Sequence, residues 1–193
     1  MLDEINKYSR DFKSLLDMVE CTDGHGVTID FANSMAGACT VVRNVASSGG
    51  KVLFIGNGGS AAISSHMAID FWKNGGIRAM AFNDASLLTC IGNDFGYAHV
   101  FEKPIEMFAD KGDVLFAISS SGRSENILNG VRAAVSRGVR VITLSGFQSD
   151  NPLRAMGEVN FYVPALHYGH VEVIHQYICH CVLDIIMAVK ENG

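Results

Sequence analysis

No two cysteines in this 193-residue chain are spaced as CxxC, no uninterrupted apolar run approaches the length of a membrane span, and lysine and arginine are nowhere clustered. The five cysteines (Cys21, Cys39, Cys90, Cys179 and Cys181) are odd in number, which fits reduced, mostly buried thiols and speaks against a disulfide framework. Cys179 and Cys181 flank His180, but residues at i and i+2 point to different faces of a helix, so the trio does not read as a metal cluster. Without a long apolar run there is no candidate span. Residues 1–20 alternate charge with apolar residues and read as neither a signal nor a transit peptide, so the expected location is cytoplasmic, with no membrane partner. Fifteen basic residues, dispersed against twenty acidic ones, leave a net charge of −5. That balance argues against a nucleic-acid partner, which needs clustered cations to neutralise phosphates. Low-complexity segments, linkers and internal repeats are also missing.

Apolar residues make up 48% of the chain and charged residues 18%, as in an α/β protein with one substantial core, so residues 1–193 are expected to form a single domain. Ile5, Tyr8, Phe12, Leu15, Leu16 and Val19 recur at three- and four-residue spacing, predicting an amphipathic helix. A second helix is expected over 28–46, ending at Ser47-Ser48-Gly49-Gly50. These form an N-terminal helical pair (1–48). The remainder (49–193) alternates short apolar runs at 51–55, 77–82, 113–119, 140–145 and 159–163 with helical patterns at 61–73, 86–93, 100–108, 124–137, 152–155 and 171–189. Runs of that kind predict buried parallel strands between two helical layers: a three-layer αβα sandwich around a five-stranded parallel sheet. The last helix is apolar nearly all round, which predicts burial between other elements or subunits.

Loops that leave the carboxyl ends of such strands line the ligand crevice of open parallel sheets. Gly56-Asn57-Gly58-Gly59-Ser60 is one. Its glycines permit positive φ and a close approach of backbone N–H groups to an anion at the start of the next helix. It matches neither the dinucleotide GxGxxG spacing nor a Walker motif, and a tight turn is the alternative. Ser119-Ser120-Ser121-Gly122-Arg123-Ser124 is the second, with hydroxyls and amides gathered at another helix start, able to hold a phosphate monoester without formal charge. Two such cradles favour phosphate binding. His66 and Asp70, at i and i+4, share one helix face and suit either a metal or acid–base work. On the last helix Glu172 and His175 are neighbours, whereas Glu172 and His180 stand about 12 Å apart along the axis. The two meet at one small site only at full reach or from different subunits. His175, His167 and His170 read as packed core histidines.

These residues resemble the sugar isomerase (SIS) domain family and, within it, the phosphoheptose isomerases. The resemblance runs through GNGGS at 56–60, His66 with its acidic partner, GNDFG at 92–96, GDVLFAISSSGRSENIL at 112–128, VITLSG at 141–146, and the pattern of Glu172, His175 and His180. It implies a flavodoxin-like fold, a homotetramer with sites at subunit borders, and a phosphorylated sugar as partner. The implied reaction converts sedoheptulose 7-phosphate to D-glycero-D-manno-heptose 7-phosphate through a cis-enediol. By the same resemblance Asn57, Gly58, Gly59, Ser60, Asn93, Asp94, Ser119, Ser120, Ser121, Ser124 and Glu172 would bind substrate. Asp70 would act as base and His180 as acid, and His66, Asp70, Glu172 and His180 would surround a zinc ion. The chain departs from the family pattern in having Asp70 for Glu, Glu172 for Gln, Gly169 and His170 for Asp and Arg, and a connection from Phe71 to Ile77 about five residues shorter. The same mechanism on another phosphosugar, and a non-catalytic SIS-domain binding or regulatory protein, are the alternative readings.

Overall fold

A computed structural model describes residues 1–191. The chain runs α1 (Leu2–Asp17), β1 (Glu20–Asp23), β2 (Thr28–Ile29), α2 (Phe31–Ser47), β3 (Val52–Gly56), α3 (Gly59–Lys73), β4 (Ala79–Ala81), α4 (Ala85–Asp94), α5 (Glu102–Phe108), β5 (Val114–Ser119), α6 (Glu125–Ser136), β6 (Arg140–Gly146), β7 (Val159–Val163) and α7 (Tyr168–Glu191). Helices flank one sheet of order β2-β1-β7-β6-β5-β3-β4. From β4 to β7 all pairings are parallel, in the doubly wound order whose direction of winding reverses between β3 and β5.

Each central strand is buried along its whole length because its alternate residues feed two cores. On β3, Val52 and Phe54 face the layer of α2, α3 and α7, while Leu53 and Ile55 face that of α5 and α6. Phe54 stacks on Phe116 at 5.0 Å and meets the edge of Phe71 at 5.2 Å, fixing α3 against the sheet.

The five parallel strands are those expected, and among the described residues the sheet carries seven strands in all. The two extra ones, β1 and β2, form an antiparallel hairpin that covers the edge of β7, so the N-terminal segment is a helix, a hairpin and a helix. Helix α2 accordingly starts at Phe31 and not at 28, capped by the Asp30 carboxylate, which accepts from Asn33 N–H at 3.0 Å. The strand expected at 77–82 is confined to Ala79–Ala81, the helix expected at 100–108 begins at Glu102 after a 3₁₀ turn, and 152–155 is itself 3₁₀. All five thiols are free, three of them buried.

Helix α7 starts three residues earlier than its apolar pattern predicts. By length and composition it is apolar enough to cross a membrane, which a search for uninterrupted apolar runs passes over. Here Val171, Ile174, Ile178 and Val182 of this helix pack into the core instead. His175 is fully buried on the same stripe, with Nε2 3.0 Å from the Ser145 carbonyl oxygen, which fixes that nitrogen as the donor. Burial pushes its pKa down from 6.5 to about 4. The unfolded chain therefore takes up a proton that the folded one refuses. Stability is complete above pH 6.5 and drains away as the pH falls toward 4, by about 2 kcal/mol between pH 7.5 and 5 from this group. Urea unfolding at the two pH values checks this: His175→Gln should lose less than the wild type, and equal losses would contradict it.

Candidate active site

Two strand-to-helix loops at the winding reversal build a pocket of about 230 Å³ lined by Asn57, Gly58, Gly59, Ser60, Ser119, Ser120, Ser121, Ser124, Tyr168 and Glu172. Glycine is required where β3 hands over to α3. A Cβ on Gly56 would run into the Ser60 backbone, and Gly58, the residue before the helix, has φ +54°. The first turn of α3 leaves amide N–H groups without carbonyl partners in the helix, at its positive dipole end. After β5, Gly122 turns the chain with φ +60°, its N–H donating to Ser119 Oγ at 3.2 Å. Ser121 Oγ accepts from Arg123 N–H at 3.3 Å. Ser120 Oγ is buried without a partner, and Ser124, at the start of α6, does not use its hydroxyl as a cap. Arg123 turns away to pair with Asp150 at 2.5 Å. The walls thus hold hydroxyls and amides but no cation, and their one charged group is Glu172.

Glu172 packs directly on Gly59, where any Cβ would overlap its carboxylate. Further along the same two helices, His66 and His180 meet with ring centroids 5.3 Å apart, and just past the end of α3 a Cβ on Gly75 would run into the Leu183 side chain. Residue numbers rise together in all three pairs, so α3 and α7 run side by side in the same direction. Asp70 Oδ2 lies 3.3 Å from His66 Nε2. His66, Asp70 and His180, all of one chain, place one ligand atom each within 4.8 Å of one another. Glu172 belongs to the hydroxyl pocket, not to this trio.

The remaining candidates are dispersed. Asn93 and Asp94 are exposed at the end of α4, bonded to each other at 2.8 Å, and are not among the pocket walls. His170 is buried and stacks on Tyr8 at 4.1 Å, as a packed histidine would, but His167 is exposed. Sequence reasoning passed over Tyr168, which lies before the point where the last helix was expected to start. It also passed over Tyr97 and Asn126, which bond Asn57 from 40 and 69 residues away.

Comparison with known proteins places this arrangement among others. The SIS domain family matches residues 25–146. A phosphoheptose isomerase of Glaesserella parasuis is 31% identical over 175 residues, covering 82% of this chain and 91% of that protein. One from Helicobacter hepaticus is 39% identical over 152 residues, covering 75% and 77%. Among solved structures, the phosphoheptose isomerase from Neisseria gonorrhoeae superposes with a TM-score of 0.83 at 30% identity, covering 96% of this chain and 99% of that one.

Proposed function

Because the chain belongs to the SIS domain family and, within it, to the phosphoheptose isomerases, we propose that it interconverts sedoheptulose 7-phosphate and D-glycero-D-manno-heptose 7-phosphate. The whole described chain acts as one unit in this reading, since α7, beyond the matched segment, supplies Tyr168, Glu172 and His180.

The observation that carries it is the shared direction of α3 and α7. Gly59 and His66 are seven residues apart and Glu172 and His180 eight, which sets the hydroxyl pocket about 10–12 Å from the imidazoles. An open-chain heptose 7-phosphate has seven bonds between phosphorus and its second carbon, about 8–9 Å when extended. With its phosphate among Asn57, Gly58, Gly59, Ser60, Ser119, Ser120, Ser121 and Ser124, its carbonyl end reaches the trio. A three-carbon sugar phosphate does not. Asn93 and Asp94 are assigned to sugar hydroxyls on the resemblance alone.

Asp70 then removes the proton from the carbon beside the carbonyl and returns it to the neighbouring carbon, while His180 donates to the carbonyl oxygen and takes a proton from the adjacent hydroxyl. The side chain of Asp70 is only 18% exposed, and His66 holds it on the helix face where the carbon pair would lie. An imidazole can both donate and accept a proton through its ring nitrogens, which suits His180 to the acid role. The donor set of His66, Asp70 and His180, nitrogen and oxygen atoms within 4.8 Å, fits zinc, which when bound would polarise the substrate carbonyl. Glu172 is left outside that set.

A homotetramer is part of this proposal. Helix α1 buries no residue fully, and Val173, Tyr177, Ile185 and Val189 of α7 are 42–51% exposed, surfaces that suit a second copy; light scattering that returned a monomer would refute it. A cytoplasmic location accords with reduced thiols and a soluble sugar phosphate.

The decisive experiment follows sedoheptulose 7-phosphate by NMR in deuterated water, with and without a chelator. Deuterium should enter at the carbon next to the carbonyl as the aldose appears. Binding without any exchange would favour the non-catalytic alternative.

A further inference from the structure

Asn57 spends nearly all of its hydrogen-bonding capacity before any ligand arrives. Its Nδ2 donates to Asn126 Oδ1 at 3.0 Å, and its Oδ1 accepts from Asn126 Nδ2 at 2.9 Å. The Tyr97 hydroxyl donates to the same Oδ1 at 3.0 Å. Which end of each amide is oxygen follows from a fourth bond: Ile127 N–H donates to Asn126 Oδ1 at 3.0 Å, so that atom is an acceptor and the Asn57 atom facing it a donor. An amide offers two N–H donors and two acceptor lone pairs. Both lone pairs of Asn57 are filled and one N–H is used, leaving a single N–H in a residue that lines the pocket.

The partners come from separate parts of the chain. Asn126, 3% exposed, stands at the start of α6 behind the serine loop, and Tyr97, 60% exposed, belongs to the 3₁₀ turn after α4. One turn along α6, Asn129 Nδ2 donates to the Ala98 carbonyl at 3.0 Å, bracing that same turn. The glycine loop, the first turn of α6 and the GNDFGY segment are thus joined at one side-chain amide.

We infer that Asn126 and Tyr97 are positioning residues that hold Asn57 as a donor-only ligand, its one free N–H presented to a phosphate oxygen. The inference rests on the phosphate pocket of the proposed function, and neither residue touches the reacting carbons.

Tyr97→Phe removes a single hydroxyl from an exposed position, so the fold should be untouched. Its KM for sedoheptulose 7-phosphate and its Kd for inorganic phosphate by calorimetry should each rise about 3- to 5-fold, with kcat within about twofold of wild type. Asn126→Ala, which frees both ends of the buried pair, should raise both constants about tenfold or more. The discriminating variant is the double mutant Asn57→Ala/Tyr97→Phe, which should bind phosphate no worse than Asn57→Ala alone, because Tyr97 acts only through Asn57. Unchanged KM and Kd in Tyr97→Phe, or an equal penalty in both backgrounds, overturns the inference, even if Asn126→Ala fails to fold. A wild-type chain that binds no inorganic phosphate also overturns it. Should wild type bind phosphate without isomerising the sugar, the proposed reaction falls while the phosphate arm still decides the roles of Tyr97 and Asn126.

Discussion

Replacing His180 with Gln should lower kcat on sedoheptulose 7-phosphate by about 10²- to 10⁴-fold, the span of positioned acid–base catalysis, and leave the Kd for inorganic phosphate within about twofold. The second half of that result is the more telling. His180 stands two turns of α7 beyond Glu172, where it meets His66 and not the hydroxyl pocket. Its loss should therefore remove chemistry and spare grip. Asp70→Asn should behave alike, since an amide cannot take the proton, whereas Asp70→Glu should keep measurable turnover with a displaced carboxylate. His66→Asn should lower kcat too, by releasing Asp70 from its 3.3 Å partner, and should also weaken zinc binding in a calorimetric titration if the trio holds that ion. A His180→Gln protein with near-normal kcat would remove the imidazole from the mechanism. One that lost phosphate binding in step with turnover would mean that pocket and trio are a single site, contrary to their separation along α3.

Glu172→Gln should act in the opposite direction. The pocket that we assign to a phosphate has neutral donors on every wall and one formal charge, the Glu172 carboxylate seated on Gly59 at the start of α3. That carboxylate occupies the end of a helix where an anion is favoured, and it repels a second anion brought into the same space. Removing the charge while keeping the shape should tighten inorganic phosphate about tenfold or more at low salt, with a smaller gain at high salt as screening weakens the repulsion. KM should fall with it. Weaker phosphate binding by Glu172→Gln would show that the carboxylate helps the ligand, by accepting from a protonated phosphate or a sugar hydroxyl. Arg123 cannot mask the effect from within the pocket, since its guanidinium is committed to Asp150.

The parallel core could be read from residues alone because each central strand is buried on both faces, and a strand such as Val114–Ser119 must then be apolar throughout. Edge strands carry no such mark. Three of the four residues of Glu20–Asp23 are polar and Thr28–Ile29 is two residues long, so the hairpin has no apolar run to set it apart from its helical neighbours. The same contrast runs through the site. Ser60 and Ser119–Ser121 announce themselves as runs beside glycine, and His66 with Asp70 as an i, i+4 pair. Tyr97 and Asn126 are ordinary in their local context and acquire meaning only when folding brings them to Asn57. The helical rise between Glu172 and His180 was legible and did separate them. That α3 supplies a partner to each, in the same chain, depended on two helices far apart in sequence lying side by side.

Helix α7 has a consequence for when this protein becomes competent. All five parallel strands are complete by Val163, but Val171, Ile174, Ile178 and Val182 of α7 close one core layer against them, so a growing polypeptide settles its sheet and loop cradles only once the segment that brings Tyr168, Glu172 and His180 has been synthesised. Any product cut short between those points would lack the imidazole of α7 together with the apolar stripe that seals one side of the molecule, and so would be prey for proteolysis before it could capture a ligand.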